Sequence, residues 1–160
     1  MRFQDFAAAR LPALLRYAKL LTGDGHEAED LVQEVLTKAL LRWRRIGAMD
    51  EPYAYVRTML TNQFLSARRR RRFRLVPLDS ERHDRPLPPG PEAGDRDALW
   101  KLLGTLPDRQ RAVLVLRYYE DLGDDQIAEA LQCRPGTVRG YASRALATLR
   151  VHIEMTTEVR

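Results

Sequence analysis

Between residues 75 and 95 the chain carries Pro77, Pro86, Pro88, Pro89, Gly90, Pro91 and Gly94, with few large apolar side chains among them. Proline has no N–H to give to a helix or a sheet ladder, and it pushes the residue before it out of the helical region. A stretch this rich in proline and glycine cannot continue a helix or enter a sheet. It is expected to be a flexible linker over 75–95, dividing the 160 residues into two small domains, 1–74 and 96–154.

Both domains read as helical. Phe6, Leu11, Leu14, Leu15, Ala18 and Leu21 recur at helical spacing and predict a helix from about Phe3 to Leu21, with Pro12 a point where it could kink or split. Thr22-Gly23-Asp24-Gly25 stops it. A second helix is predicted from about His26 to Arg45, with Ala28, Leu31, Val32, Val35, Leu36, Ala39, Leu40 and Trp43 as a wide apolar face. Its first turn is acidic and its last basic, as the helix macrodipole favours. A third runs from about Tyr53 to Arg72 with Tyr55, Val56, Met59, Leu60 and Phe64 on one side. Beyond the linker come a helix carrying Leu99, Leu102, Leu103 and Leu106, and another opening at Pro107-Asp108. Two more follow, Asp124 to Leu131 and Pro135 to about Val151. No sustained period-two alternation appears, so the fold class is all-α.

The net charge is +5, unevenly spread. Residues 1–74 hold 15 Lys+Arg against 8 Asp+Glu, 75–96 hold 3 against 5, and 97–160 hold 9 against 9. The basic first part points to a polyanionic partner, because neutralising phosphates releases condensed counterions. The single cysteine, Cys133, excludes an internal disulfide, and the expected location is cytoplasmic. No apolar run approaches the ~18 residues of a membrane span, and Arg2, Asp5, Arg10 and Arg16 interrupt any signal-peptide core, so no membrane insertion is expected. His26, His83 and His152 are scattered, and neither a Gly-rich phosphate loop nor a metal-spaced cluster is present. The expectation is therefore a non-enzyme with no catalytic residues, no metal site and no cofactor. The acidic residues near 120–125 are explained as a helix end and the next helix's cap.

The most informative segment spans Asp124 to Leu146. Two short helices that cross steeply need a small residue where they touch, which Ala128 supplies, and Ile127, Leu131, Val138 and Tyr141 are the expected interlocking core. Pro135 opens the second helix, where a missing N–H costs nothing. That helix would present Thr137, Arg139, Gly140, Ser143 and Arg144 outward, with Arg134 just before it. Arginine can bridge the guanine acceptors of a major groove. The pattern is a helix-turn-helix, with one departure: Gln132 stands at the turn, where glycine is usual and a left-handed backbone is less comfortable for a side chain.

Over nearly its whole length the chain resembles the extracytoplasmic-function (ECF) sigma factors of bacterial RNA polymerase, in an actinobacterial-type subgroup. Ala28-Glu29-Asp30-Leu31-Val32-Gln33-Glu34-Val35 is similar to the family's region 2.2 signature. The resemblance implies that Asp30, Leu31, Gln33 and Glu34 bind the polymerase clamp, with Asp30, Gln33 and Glu34 as a polar ridge and a Glu34–Lys38 pair beside it. Glu51-Pro52-Tyr53-Ala54-Tyr55-Val56, Asn62 and the Arg68–Arg72 run are similar to regions 2.3 and 2.4, with Tyr55 in place of the common Trp and Ser66 where Asp is frequent. The resemblance makes Asp50, Glu51, Tyr55, Asn62, Arg68 and Arg69 the −10 DNA-binding set. The loop from Ile46 to Pro52 corresponds to one that captures a flipped base. Five consecutive arginines cannot share one helix face, so two or three of them are expected on phosphates.

Leu106-Pro107-Asp108-Arg109-Gln110-Arg111, continuing through Leu114, Leu116 and Arg117, looks like region 4. By resemblance Arg134, Thr137, Arg139, Gly140, Ser143 and Arg144 face the −35 element, with small Gly140 and Ser143 leaving more to DNA shape. The implied partners are core RNA polymerase and promoter DNA, with room for an anti-sigma factor. The alternative from the helix-turn-helix alone is a stand-alone transcriptional regulator that binds duplex DNA without polymerase.

Overall fold

The computed structural model describes residues 1–73 and 95–158, so apart from Asp95 the expected linker lies outside the described residues. The chain divides into two compact units, Met1–Ala67 and Arg68–Arg160. Among the described residues the regular elements are all helical.

In the N-terminal unit, α1 (Phe3–Thr22) runs unbroken through Pro12, which is exposed, so the carbonyl it leaves without an intrahelical donor is open to water. Gly23 ends the helix at φ 71°, and its N–H donates to the Lys19 carbonyl at 2.8 Å. This is a left-handed cap that glycine adopts without steric cost. Asp24 then caps α2 (Gly25–Leu41), its carboxylate accepting from the backbone N–H of His26 at 2.8 Å and of Glu27 at 3.4 Å. A two-residue hinge thus turns α1 back on α2, the closest packed pair of the unit.

The expected single helix over 26–45 is two. It breaks at Arg42, and a short α3 (Trp43–Ile46) follows. The break re-aims Trp43, whose indole N–H donates to the Met1 carbonyl at 2.8 Å and whose ring meets Phe6 at 4.8 Å and Phe3 edge-on at 5.5 Å. Helix α4 (Pro52–Phe73) closes the unit with its residues up to Ala67. Leu14, Tyr17, Ala18 and Leu21 of α1 meet Ala28, Leu31, Val32, Val35 and Ala39 of α2, Ile46 of α3, and Val56, Leu60 and Phe64 of α4 in one core. Within it the Tyr17 hydroxyl pairs with Thr61 Oγ1 at 2.6 Å, while Thr61 donates its own proton to the Arg57 carbonyl at 2.9 Å. Tyr17 is therefore the donor of the buried pair.

In the C-terminal unit, α5 (Asp95–Gly104) and α6 (Asp108–Leu114) are joined by a short turn. Arg111 to Leu116 are all buried, and the helix passes into a π turn over Val115–Tyr119, with the Glu120 N–H donating to the Val115 carbonyl at 3.1 Å. This one-residue widening keeps Val115 and Leu116 in the core and sends Tyr118 and Tyr119 to the surface. Asp121 takes positive φ (58°), and the Leu122 N–H reaches back to the Leu116 carbonyl. Then come α7 (Asp124–Leu131) and α8 (Pro135–Glu158), which runs well past the expected end near Val151. At the N-terminus of α7 the Gln126 side chain accepts from the Gly123 N–H at 3.0 Å.

Candidate functional site

On α2, residues 30, 33, 34, 37 and 38 fall on one side, and the structure leaves all five exposed. Asp30, Gln33 and Glu34 therefore form a surface ridge. Leu31, expected among the contact residues, is only 7% exposed. It supports the ridge from the core and offers no contact surface of its own in this conformation. Glu34 is tied down from two sides: Lys38 lies 3.6 Å away, and the Gln63 amide of α4 donates to its Oε1 at 3.0 Å. Lys38 also donates to Gln63 Oε1 at 2.8 Å, closing a three-membered polar link between α2 and α4. Sequence reasoning missed Gln63, which lies 29 residues from Glu34. Only the helix crossing brings them together.

The turn between α3 and α4 exposes Asp50 and Glu51. Gly47 is required there by close approach. A Cβ on it would stand 2.9 Å from Trp43 Nε1 and 3.0 Å from the Trp43 carbonyl oxygen, and the backbone oxygen cannot rotate away. Gly47→Ala is expected to shift this turn and cost about 1–3 kcal/mol. Thermal unfolding and tryptophan fluorescence would show it as a lower Tm and an altered indole environment, whereas wild-type values in both would mean the turn has slack.

Along α4, Tyr55, Asn62 and Arg69 recur every seven residues and so share a stripe. Asn62 and Arg69 are exposed and Tyr55 half-buried. Arg68 is half-buried and lies about 100° around the helix from Arg69, off that stripe. Nearby, two cations approach the Tyr53 ring, Arg10 at 4.8 Å and Arg57 at 5.5 Å from its centre. That cluster too went unread in the sequence.

The helix-turn-helix forms over α7 and α8. Ile127, Ala128, Leu131 and Val138 are buried as expected. Tyr141 is not: it is half-exposed against Arg144, 5.3 Å from its ring, and Ala142 and Ala145 take the core positions. From Val138 the inward stripe advances by four and seven residues, and Tyr141 falls at its edge. Gln132 adopts the left-handed conformation (φ 53°, ψ 51°), so the turn keeps its ordinary geometry and glutamine takes the place usually filled by glycine. The Arg134 carbonyl accepts from Thr137 and Val138 N–H to start α8. Arg134, Thr137, Arg139, Ser143 and Arg144 are exposed and Gly140 is half-buried. The guanidinium groups of Arg139 and Arg144 lie over Gly136 and Gly140, 3.7 Å from where a Cβ would stand.

Asp124, at the first turn of α7, hydrogen-bonds Arg117 through Oδ1 and lies 3.8 Å from Arg139 through Oδ2. The hydrogen bond to Asp124 raises the Arg117 pKa above its ordinary value, with partial burial opposing. Asp124 was expected to serve only the helix end.

Two family models match the chain: Sigma-70 region 2 over residues 6–74 and Sigma-70, region 4 over residues 96–149. The RNA polymerase sigma-E factor of Streptomyces coelicolor is 34% identical over 156 residues, covering 94% of this chain and 85% of that protein. The ECF RNA polymerase sigma factor SigL of Mycobacterium tuberculosis is 34% identical over 146 residues, covering 88% and 82%. The chain belongs to the ECF sigma factor family. Its function is accordingly that of a sigma factor, directing promoter-specific transcription, and the stand-alone regulator is not favoured. Among solved structures, the sigma factor RpoE of Bartonella quintana, crystallised with the anti-sigma factor NepR, superposes with a TM-score of 0.74 at 27% identity, covering 95% of this chain and 96% of that one. No described helix of this sigma factor is long and apolar enough to cross a membrane.

Proposed function

We propose a division of labour in which residues 1–74 bind core RNA polymerase and the −10 strand, 96–154 hold the −35 duplex, and 75–95 tether the two. Asp30, Gln33 and Glu34 dock on the polymerase clamp. Asp50, Glu51, Tyr55 and Asn62 meet the opened −10 strand, with Arg68 and Arg69 on flanking phosphates. Arg134, Thr137, Arg139, Gly140, Ser143 and Arg144 approach the −35 element. Two modest DNA contacts on one tether gain effective concentration, so neither has to be strong alone. Catalysis rests with the polymerase, in the cytoplasm, and a protein antagonist of the anti-sigma kind would act by covering these same faces.

The observation that carries this reading is the α2 ridge: three polar side chains stand exposed over a core that fixes them. The test is co-elution of the purified chain with core polymerase on size exclusion, beside Asp30→Ala, Glu34→Ala and the double variant. The wild type is expected to co-elute and the double variant to bind about tenfold or more weakly. Asp30→Ala should cost more than Glu34→Ala, because Lys38 and Gln63 already occupy Glu34. Unchanged co-elution of the double variant would remove the ridge from the interface.

A further inference from the structure

Asp124 sits where three charged side chains of the C-terminal unit meet. Its bond to Arg117 is sheltered, with side-chain exposures of 26% and 24%, while Arg139, on its other side, is 63% exposed. The first contact anchors the carboxylate and the second leaves Arg139 free to exchange partners. The Arg139 Nη2 also lies near Gly136, 3.7 Å from where a Cβ would stand.

We propose that Asp124 is a positioning residue for −35 recognition, which makes Arg139 selective for a base edge over a phosphate. The proposal rests on the reading of α8 as the recognition helix. An unrestrained arginine on a DNA-facing helix binds any phosphate and adds affinity without sequence information. An arginine already opposed by a carboxylate adds less to that general attraction. Turning to a phosphate gives up the carboxylate and brings Asp124 towards a polyanion. A guanine edge offers two acceptors in fixed geometry, which a guanidinium held near its working position meets with little further ordering. Asp124 thus weakens binding to DNA at large and weakens binding to the correct sequence least. Arg117 keeps the carboxylate in place beside Arg139.

The experiment uses holoenzyme assembled from the full chain and core polymerase. The templates are a promoter mapped by sequencing transcript 5′ ends and the same promoter with a scrambled −35 element. Asp124→Asn is expected to bind the scrambled template more tightly, to lower the promoter-to-scrambled ratio about 5- to 10-fold, and to steepen the slope of log affinity on log salt by about 0.9. In an Arg139→Ala background the same substitution should change the ratio by less than about twofold. Asp124→Glu, run in parallel in case the asparagine variant does not fold, keeps the charge and displaces the carboxylate. It should leave the salt slope alone and still lower the ratio. Weaker binding to both templates with a lowered Tm and an unchanged ratio would overturn the proposal, as would an equal change of ratio in both backgrounds. Wild-type discrimination by Arg139→Ala alone would overturn it differently, by removing Arg139 from −35 reading altogether.

Discussion

Replacing Phe64 by alanine is expected to remove much or all of the stability of the N-terminal unit. The ring, on α4, is 1% exposed, and truncating a buried phenylalanine costs about 3–5 kcal/mol. A unit the size of Met1–Ala67 has only about 3–10 kcal/mol of stability to lose. The loss therefore consumes much or all of it, and with it the frame that holds the α2 ridge and the turn at Gly47. Phe64→Leu keeps most of the volume and should cost about 1 kcal/mol. Thr61→Val, which removes one partner of the Tyr17 hydroxyl, should fall between them at about 1–3 kcal/mol. Urea unfolding of the three variants by far-UV ellipticity would rank them. If Phe64→Ala unfolded like Phe64→Leu, the core would be able to collapse around the missing ring, and the packing argument would fail.

Apolar spacing made most of this core legible. Val56, Leu60 and Phe64, or Val32, Val35 and Ala39, follow the helical period, and a period reports which positions face inward. It also located α7 and α8 to the residue at three of their four ends, because Pro135 and Asp124 are local start signals and Gln132 follows the last buried leucine. What stayed hidden depends on how helices cross. Gln63 with Glu34, and Asp124 with Arg117 and Arg139, are partners that no local pattern encodes. The break at Arg42 went unread for a related reason, since the sequence on either side is good helix and the cause is Trp43 reaching back to Met1, Phe3 and Phe6. Tyr141 was misplaced by one step on the helical wheel, because an aromatic ring looked a better core residue than Ala142 or Ala145. Where two helices touch closely the small residue is the one that fits.

Arg111→Leu is expected to loosen the DNA-reading half of the molecule while sparing polymerase binding. The side chain is a charged group in a core, 8% exposed, and its Nε donates to the Leu103 carbonyl at 2.7 Å. Leu103 lies in the last turn of α5, where the carbonyls carry partial negative charge and favour a cation, and its carbonyl also accepts from the Leu106 N–H at 3.1 Å. The Arg111 guanidinium also lies over Gly104, with Nη2 3.6 Å from where a Cβ would be. Leucine matches the apolar surroundings of Ala112 to Leu116 and gains some burial. It nevertheless leaves the Leu103 carbonyl buried without this donor, and a lost charge-assisted bond of this kind costs about 1.5–3 kcal/mol. Because α6 packs against α8, the cost appears as movement of the helix that carries Arg139 and Arg144. Arg111→Lys keeps the charge but not the planar fork and should recover only part of it. The expected pattern is a lowered Tm, promoter-directed transcription reduced several-fold, and core-polymerase co-elution through the α2 ridge retained. Co-elution lost together with transcription would show that unfolding of the C-terminal unit disables the whole chain, whereas full activity would mean that the Leu106 N–H alone satisfies the Leu103 carbonyl.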